Sequence, residues 1–246
     1  MAKKSPITGR YVYLDVDGVE YRVYYEESGE GIPILCQHTA GNDGRQYRHL
    51  LEDADITSSY RVIAYDLPYH GKSLPPASEK WWKQEHKLTE GFFKQFVLAL
   101  KDALELEKPV FMGCSMGGHL AVDLALNYPE HFRACIALEG ALESHDIQGV
   151  MPWWRHPRLS NDSKPSLMYT LMAPQSPEAN KNETIWMCTA RAHRPSSTAT
   201  STTTAWTTTP PRRRATSTPR RSPCTSSAAS MTGQRRPRSA WRSTSR

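Results

Sequence analysis

One hexapeptide constrains this chain more than any other feature: Gly113-Cys114-Ser115-Met116-Gly117-Gly118. It matches the pattern G-x-S-x-G, and its flanks matter more than the match. The apolar run 109–112 leads into it and reads as a buried strand, while Leu120, Leu124 and Ala125 follow at helical spacing as far as Asn127. A serine on such a strand-to-helix turn is forced into a strained backbone conformation. The glycines beside it leave room that side chains would fill, and its Oγ projects beyond the sheet at the positive end of the next helix. The plainer reading is a glycine-rich turn with a bystander serine; the strand before it and the helix after it argue against that.

The rest of the first half has the same rhythm. Residues 11–16 and 21–26 are rich in Val and Tyr and flank Asp17-Gly18, a strong hairpin signal. Residues 32–37 and 61–65 read as buried strands, each followed by a turn-rich stretch. Residues 47–51 open a short helix. Over 88–106, Phe92, Phe93, Phe96, Val97, Leu100 and Leu104 recur at helical spacing, and 132–138 supplies one more strand. A hairpin followed by alternating strands and helices predicts an α/β fold, a mostly parallel sheet with helices on both faces. Ligand sites in such sheets lie beyond the carboxyl ends of the strands, where the motifs sit. From 141 to 187 the rhythm breaks into a Pro- and Trp-rich stretch that ends weakly helical, and it reads as a partial lid. The organisation expected is a core over 1–140, a lid over 141–187 and a disordered tail over 188–246.

Three segments together resemble the α/β-hydrolase superfamily, in the branch of lid-bearing esterases and carbon–carbon bond hydrolases. They are the turn His38-Thr39-Ala40-Gly41, the segment Asp66-Leu67-Pro68-Tyr69-His70-Gly71-Lys72-Ser73, and the serine turn itself. The likeness covers residues 11–139. Relatives usually read D-x-P-G-x-G-x-S in the second segment, and Tyr69 replaces the first of those glycines. The resemblance implies Ser115 as nucleophile and an oxyanion hole of backbone N–H groups from Ala40 and Met116, with His38, Thr39, Gly113 and Gly117 in support. Thr39 stands where relatives often have glycine, which leaves the donor in that turn open. His38 reads as a brace for its loop rather than a base, and Asp66 as a structural turn residue.

A hydroxyl nucleophile needs a base, and the base needs an acid. Glu139 ends the strand after the elbow helix, where some lid-bearing relatives place their acid; a sheet-end carboxylate bonding a lid residue fits equally well. The family places its histidine last in chain order. His119, His131, His145, His156 and His193 follow Ser115, but none lies after a later strand, so the triad is not completed. The resemblance implies neither cofactor nor metal. The expected partner is a small-molecule substrate, apolar or aromatic if Trp153 and Trp154 line the lid. Ester hydrolysis is the first reading, and cleavage of a carbon–carbon bond beside a ketone is the alternative.

The formal charge of +6 averages two unlike segments. Residues 1–186 hold 19 Lys+Arg against 25 Asp+Glu, whereas residues 187–246 hold 12 Arg and no acid. From Cys188 onward there is no Leu, Ile, Val, Phe, Tyr, Asp, Glu, Lys or Asn. Such a segment has little to bury against the entropy of ordering. Every missing residue type has T or A at its middle codon base, and only His193, Met231 and Gln234 break that rule. A GC-rich gene read out of frame has this signature; on that reading, Trp206-Thr207 and Met231-Thr232 each hide a GAC aspartate codon. The C-terminal strands and the base are then missing, so weak turnover and exposed apolar surface are expected. A basic nucleic-acid-binding arm and a non-catalytic signalling protein are the other classes. The arginines lack aromatic interleaving, so no nucleic acid is expected. The five cysteines show no paired or metal-type spacing, and MAKKSPITGR lacks an apolar signal core. No run approaches the roughly 20 apolar residues of a membrane span. A cytoplasmic protein off the membrane is expected, its oligomeric state not legible in the sequence.

Overall fold

The computed structural model describes residues 2, 4–78, 80, 89–144, 163–192 and 206–207. The chain divides into two units, Met1–Pro211 and Arg212–Arg246, and every described residue belongs to the first. Strands β1 (Thr8–Val16) and β2 (Val19–Ser28) form an antiparallel hairpin that closes on the pair Val16↔Val19. Asp17 and Gly18 both take positive φ, 54° and 78°, as a two-residue turn of this hand requires. Then follow β3 (Ile32–Gln37), α1 (Arg48–Glu52), α2 (Ala54–Thr57), β4 (Tyr60–Tyr65), α3 (Glu90–Ala103), β5 (Val110–Cys114), α4 (Met116–Asn127) and β6 (Ala134–Leu138). The sheet order is β1-β2-β4-β3-β5-β6, parallel from β4 through β6. The expected α/β architecture stands, and each sequence-read strand lies within a few residues of its place.

Alternation along the central strands divides the core between the two faces. Leu35, Ile63, Tyr65 and Phe111 point to the face covered by α3 and α4, where Phe93, Phe96, Leu100, Leu120 and Leu124 meet them. Their neighbours Ile34, Cys36, Val62, Ala64 and Val110 point to the other face, against Tyr47 and Leu51. This period of two, apolar on both sides, is what a strand covered twice must show. Helix α3 is capped by Thr89, whose side chain accepts from the Phe92 N–H. It is joined to α4 by Lys94, whose Nζ lies 3.0 Å from the buried Asp123 carboxylate.

Beyond β6 the described residues include α5 (Ser163–Leu171) and α6 (Glu178–Ala192). Glu183 of α6 pairs with Arg48 and lies 3.1 Å from His49, and Met187 is buried. The late part of the expected lid is therefore helical and docks on α1, and α6 runs past position 188. Residues 143–144 and 206–207 form a two-residue antiparallel pair, β7 and β8. Trp153, Trp154, His145, His156 and His193 lie outside the described residues. No described helix is long and apolar enough to cross a membrane, and Cys36, Cys114 and Cys135 are free thiols.

Candidate active site

Register brings the motifs together. Gln37 at the end of β3 pairs with Gly113 of β5, so the His38 turn and the serine turn leave adjacent strands at the same edge of the sheet. A Cβ on Gly113 would lie 2.0 Å from the Gly117 carbonyl oxygen, and one on Gly117 would lie 2.8 Å from that of Gln37. No side chain fits in either gap, which explains both glycines physically. The turn is also tied to β6, since the Ser115 N–H donates to the Leu138 carbonyl at 2.9 Å.

Ser115 itself sits at φ 54°, ψ −108°, a conformation that costs a non-glycine residue about 1–3 kcal/mol. It occupies the N-cap position of α4. A serine there ordinarily turns its hydroxyl back to the first-turn amides, yet Ser115 makes no such bond. The hydroxyl is half-buried, and no described residue hydrogen-bonds to it. Met116, the next residue, is the first of the helix and its side chain is buried.

The opposite wall is the turn after β3. His38 is fully buried; its Nε2 accepts from the Leu67 N–H at 3.1 Å, and its Nδ1 lies 2.7 Å from the Thr39 carbonyl. These contacts tie the turn after β3 to the turn after β4. His70 packs against it with ring centroids 5.0 Å apart, its Nε2 3.3 Å from the Ala40 carbonyl. The Thr39 N–H donates to Gln46 Oε1 at 2.9 Å. Gln37 is buried beneath both turns, receiving Tyr65 Oη at its Oε1 and Tyr47 Oη at its carbonyl.

Asp66 is structural, as its turn suggested. Its carboxylate accepts from the Gly44 and Lys72 N–H groups, both at 2.7 Å, and its carbonyl accepts from the Ser73 hydroxyl. Burial pushes the Asp66 carboxyl up to about 6 in spite of those two bonds. Burial works the same way on Asp43, but the Arg45 guanidinium bonded to it outweighs burial and holds that carboxyl low. Tyr69, standing where relatives carry glycine, takes φ 67°, the left-handed backbone that favours glycine.

Glu139 follows β6 at φ 53° and is exposed, with its charge near Cys114. Burial pushes the Cys114 thiol up, the polar Gln46 side chain pulls it back, and Glu139 adds to the rise. His119, four residues past Ser115, faces Ala141, with its Nδ1 3.0 Å from that N–H and 2.9 Å from that carbonyl. His131 lies against Glu130, away from the turn. The structure thus brings Ser115, Gly113, Gly117 and Met116 to the end of β5 and His38, Thr39 and Ala40 to the adjoining end of β3; Glu139 follows the neighbouring β6. It assigns no described histidine to Ser115. Sequence reading passed over Gln37 and Gln46, because no local pattern marks their pairing with Tyr65, Tyr47 and Thr39.

The fold agrees with known proteins. Among solved structures, an esterase from Thermogutta terrifontis superposes with TM-score 0.63 at 19% identity, covering 79% of this chain and 71% of that one. An enol-lactonase from Burkholderia xenovorans superposes with TM-score 0.61 at 20% identity, covering 75% and 69%. Among curated proteins, a 2-hydroxy-6-oxononadienedioate/2-hydroxy-6-oxononatrienedioate hydrolase of Burkholderia vietnamiensis is 30% identical over 173 residues, 64% of this chain and 56% of that protein. A 2-hydroxymuconate semialdehyde hydrolase of a Pseudomonas species is 27% identical, covering 62% and 50%. The chain spans little more than half the length of these curated relatives. The family model described as the alpha/beta hydrolase fold matches residues 32–167, which include the His38 turn, the Asp66 segment, the serine turn and Glu139, and the chain belongs to that family.

Proposed function

We propose that the chain carries the acylation machinery of a serine hydrolase acting on small carboxylic esters. One observation carries the reading: Ser115 holds a strained N-cap conformation in which its hydroxyl does not cap the helix. Strain kept at a position where relaxation would gain a hydrogen bond marks a group held for another purpose. Ser115 Oγ attacks the acyl carbon and loses its proton to a base. The carbonyl oxygen becomes an oxyanion between the N–H groups of Met116 and Ala40, the alcohol leaves, and water then releases the acid. Donors aimed at that oxygen contribute several kcal/mol. On the turn side the family resemblance points to the Ala40 N–H, while the Thr39 N–H is engaged by Gln46. Glu139, held at positive φ beyond β6, is the carboxylate that would orient a histidine.

Among the described residues no histidine bonds Ser115, so acylation is the step to measure. Incubated with a p-nitrophenyl ester, the protein is expected to acylate Ser115 slowly. Imidazole added to the solution should accelerate that acylation by supplying a base. Mass spectrometry locates the acyl group, and Ser115→Ala should abolish it. An unmodified Ser115 with imidazole present overturns the reading.

A second reading is favoured by the Burkholderia vietnamiensis relative, whose substrate name contains a ketone and two carboxylates but no ester. Cleavage of a carbon–carbon bond beside that ketone would use the same serine and oxyanion hole, and comparing the two substrate types separates the readings. The out-of-frame origin of residues 188–246 belongs to the same proposal. It predicts that the gene, read one base over, restores acid and apolar codons there; an uninterrupted frame lacking third-base GC bias in the first 186 codons refutes it.

A further inference from the structure

Successive peptide units of the turn after β3 are held by different side chains. The Thr39 N–H donates to Gln46 Oε1 at 2.9 Å. The next peptide is held by its carbonyl: the Thr39 oxygen lies 2.7 Å from His38 Nδ1 and also accepts the Asn42 N–H at 3.1 Å. The one after it is held in the same way, with the Ala40 oxygen 3.3 Å from His70 Nε2. The tautomer of His38 is forced. Its Nε2 accepts the Leu67 N–H at 3.1 Å and is therefore bare, so the ring proton sits on Nδ1 and is donated to the Thr39 carbonyl. A carbonyl only accepts, so His70 Nε2 is likewise a donor. Its Nδ1 lies 2.9 Å from the Pro68 carbonyl, and both bonds are complete in the doubly protonated ring. The two rings are buried against each other, their centroids 5.0 Å apart.

These contacts set a direction. Across a planar trans peptide the N–H points opposite to the C=O, so a Thr39 carbonyl turned to His38 turns the Ala40 N–H the other way. Both rings also contact the turn after β4, and the sheet order is β4-β3-β5. The two carbonyls are thus drawn to the β4 side of β3, while Ser115 follows β5 on its other side. We propose that His38 and His70 are positioning residues for the Ser115 centre, each holding one of the two peptides that flank Ala40, so that the Ala40 N–H is presented to the β5 side as an oxyanion donor. The inference rests on the reading of Ser115 as nucleophile. A donor aimed in advance stabilises the oxyanion without reorganising at the moment of reaction, and a buried pair of rings keeps that aim.

The test reads phosphonylation of Ser115 in the full chain by a fluorophosphonate with imidazole present. The Oγ–P bond forms, fluoride leaves, imidazole takes the proton, and the phosphoryl oxygen occupies the oxyanion position. An asparagine amide reaches about as far as Nδ1 of a histidine, and a glutamine amide about as far as Nε2. His38→Asn therefore keeps an N–H for the Thr39 carbonyl and loses the acceptor for Leu67, whereas His38→Gln does the reverse. At position 70 the preference is exchanged: His70→Gln keeps an N–H for the Ala40 carbonyl, and His70→Asn keeps one for Pro68 only. His38→Gln is expected to slow labelling by roughly 10-fold or more and His70→Asn by about 3-fold or more. His38→Asn and His70→Gln should stay within about 2-fold of the parent. Residues that merely support the fold would lose labelling with both substitutions at each position; rescue by asparagine at 38 and by glutamine at 70 is the signature of aim. A second measurement needs no variant. On phosphonylation of the parent, the Ala40 amide proton should move downfield in heteronuclear NMR while that of Thr39 stays. Rates that do not separate the two substitutions at either position, or a downfield shift at Thr39 in place of Ala40, overturn the proposal and leave the Ser115 reading intact. A parent chain that never labels overturns both.

Discussion

Strands β5 and β6 are neighbours, both five residues long, both parallel and both apolar, yet they meet opposite fates. β5 (VFMGC) is buried along most of its length, whereas four of the five residues of β6 (ACIAL) are exposed. Phe111 of β5 has no exposed surface, while Ile136 and Leu138 of β6 keep 38% and 40%. The difference lies in what stands beside each strand. β5 has β3 and β6 on its flanks, and α4 packs against both β5 and β6. β6 has β5 on one side and is the sheet edge among the described residues. An apolar strand sequence thus states a demand for cover, and the neighbours decide whether it is met.

The sharpest way to break this comparison is to truncate one side chain on each strand. Phe111→Ala should cost about 3–5 kcal/mol by leaving a cavity in a closed core, measured by urea denaturation. A loss at Phe111 no greater than at an edge position would show that the face of β5 is not closed.

The next effect concerns the turn that carries the site's structural carboxylate. Asp66 is buried, and its carboxyl is raised from 3.8 to about 6. The folded protein then keeps a proton that the unfolded chain releases at lower pH. The stability this contributes is complete below pH 4 and disappears as pH rises through 6. The stability of the parent relative to Asp66→Asn should therefore fall across that window by on the order of 2–3 kcal/mol. A flat difference, or one that grows with pH, would show that the Gly44 and Lys72 N–H groups overcome burial.

The smallest effect belongs to the open edge. Ile136→Thr should change stability by less than about 0.5 kcal/mol, as at an ordinary surface site, while reducing self-association in light scattering. A loss like that of Phe111→Ala would mean that β6 is covered in solution.

Much of the fold was legible because it is written in local periods. The hairpin at Asp17-Gly18, the doubly apolar runs of β3, β4 and β5, and the aromatic face of α3 each follow from neighbouring residues. Ser115 was legible for the same reason, since its strand, glycines and helix are contiguous. His38 as a brace and Asp66 as a turn residue followed from their motifs. Gln46 and Gln37 were not legible, because their partners lie on other strands and turns. The gap between β5 and β6 was equally hidden, as VFMGC and ACIAL carry the same kind of apolar signal.

What the sequence determined by itself is the chain's local geometry: where it extends, where it coils, and the one bend at which a serine must take a backbone conformation that only its flanking glycines allow. Backbone sterics and side-chain periodicity act within a few residues, so they survive without a fold. Tertiary structure alone decided that Thr39 gives its N–H to Gln46, that Ser115 leaves its helix uncapped, and that β6 is the sheet edge among the described residues. Hydrogen-bond pairing and burial depend on which surfaces arrive in register, and register is a property of the assembled sheet.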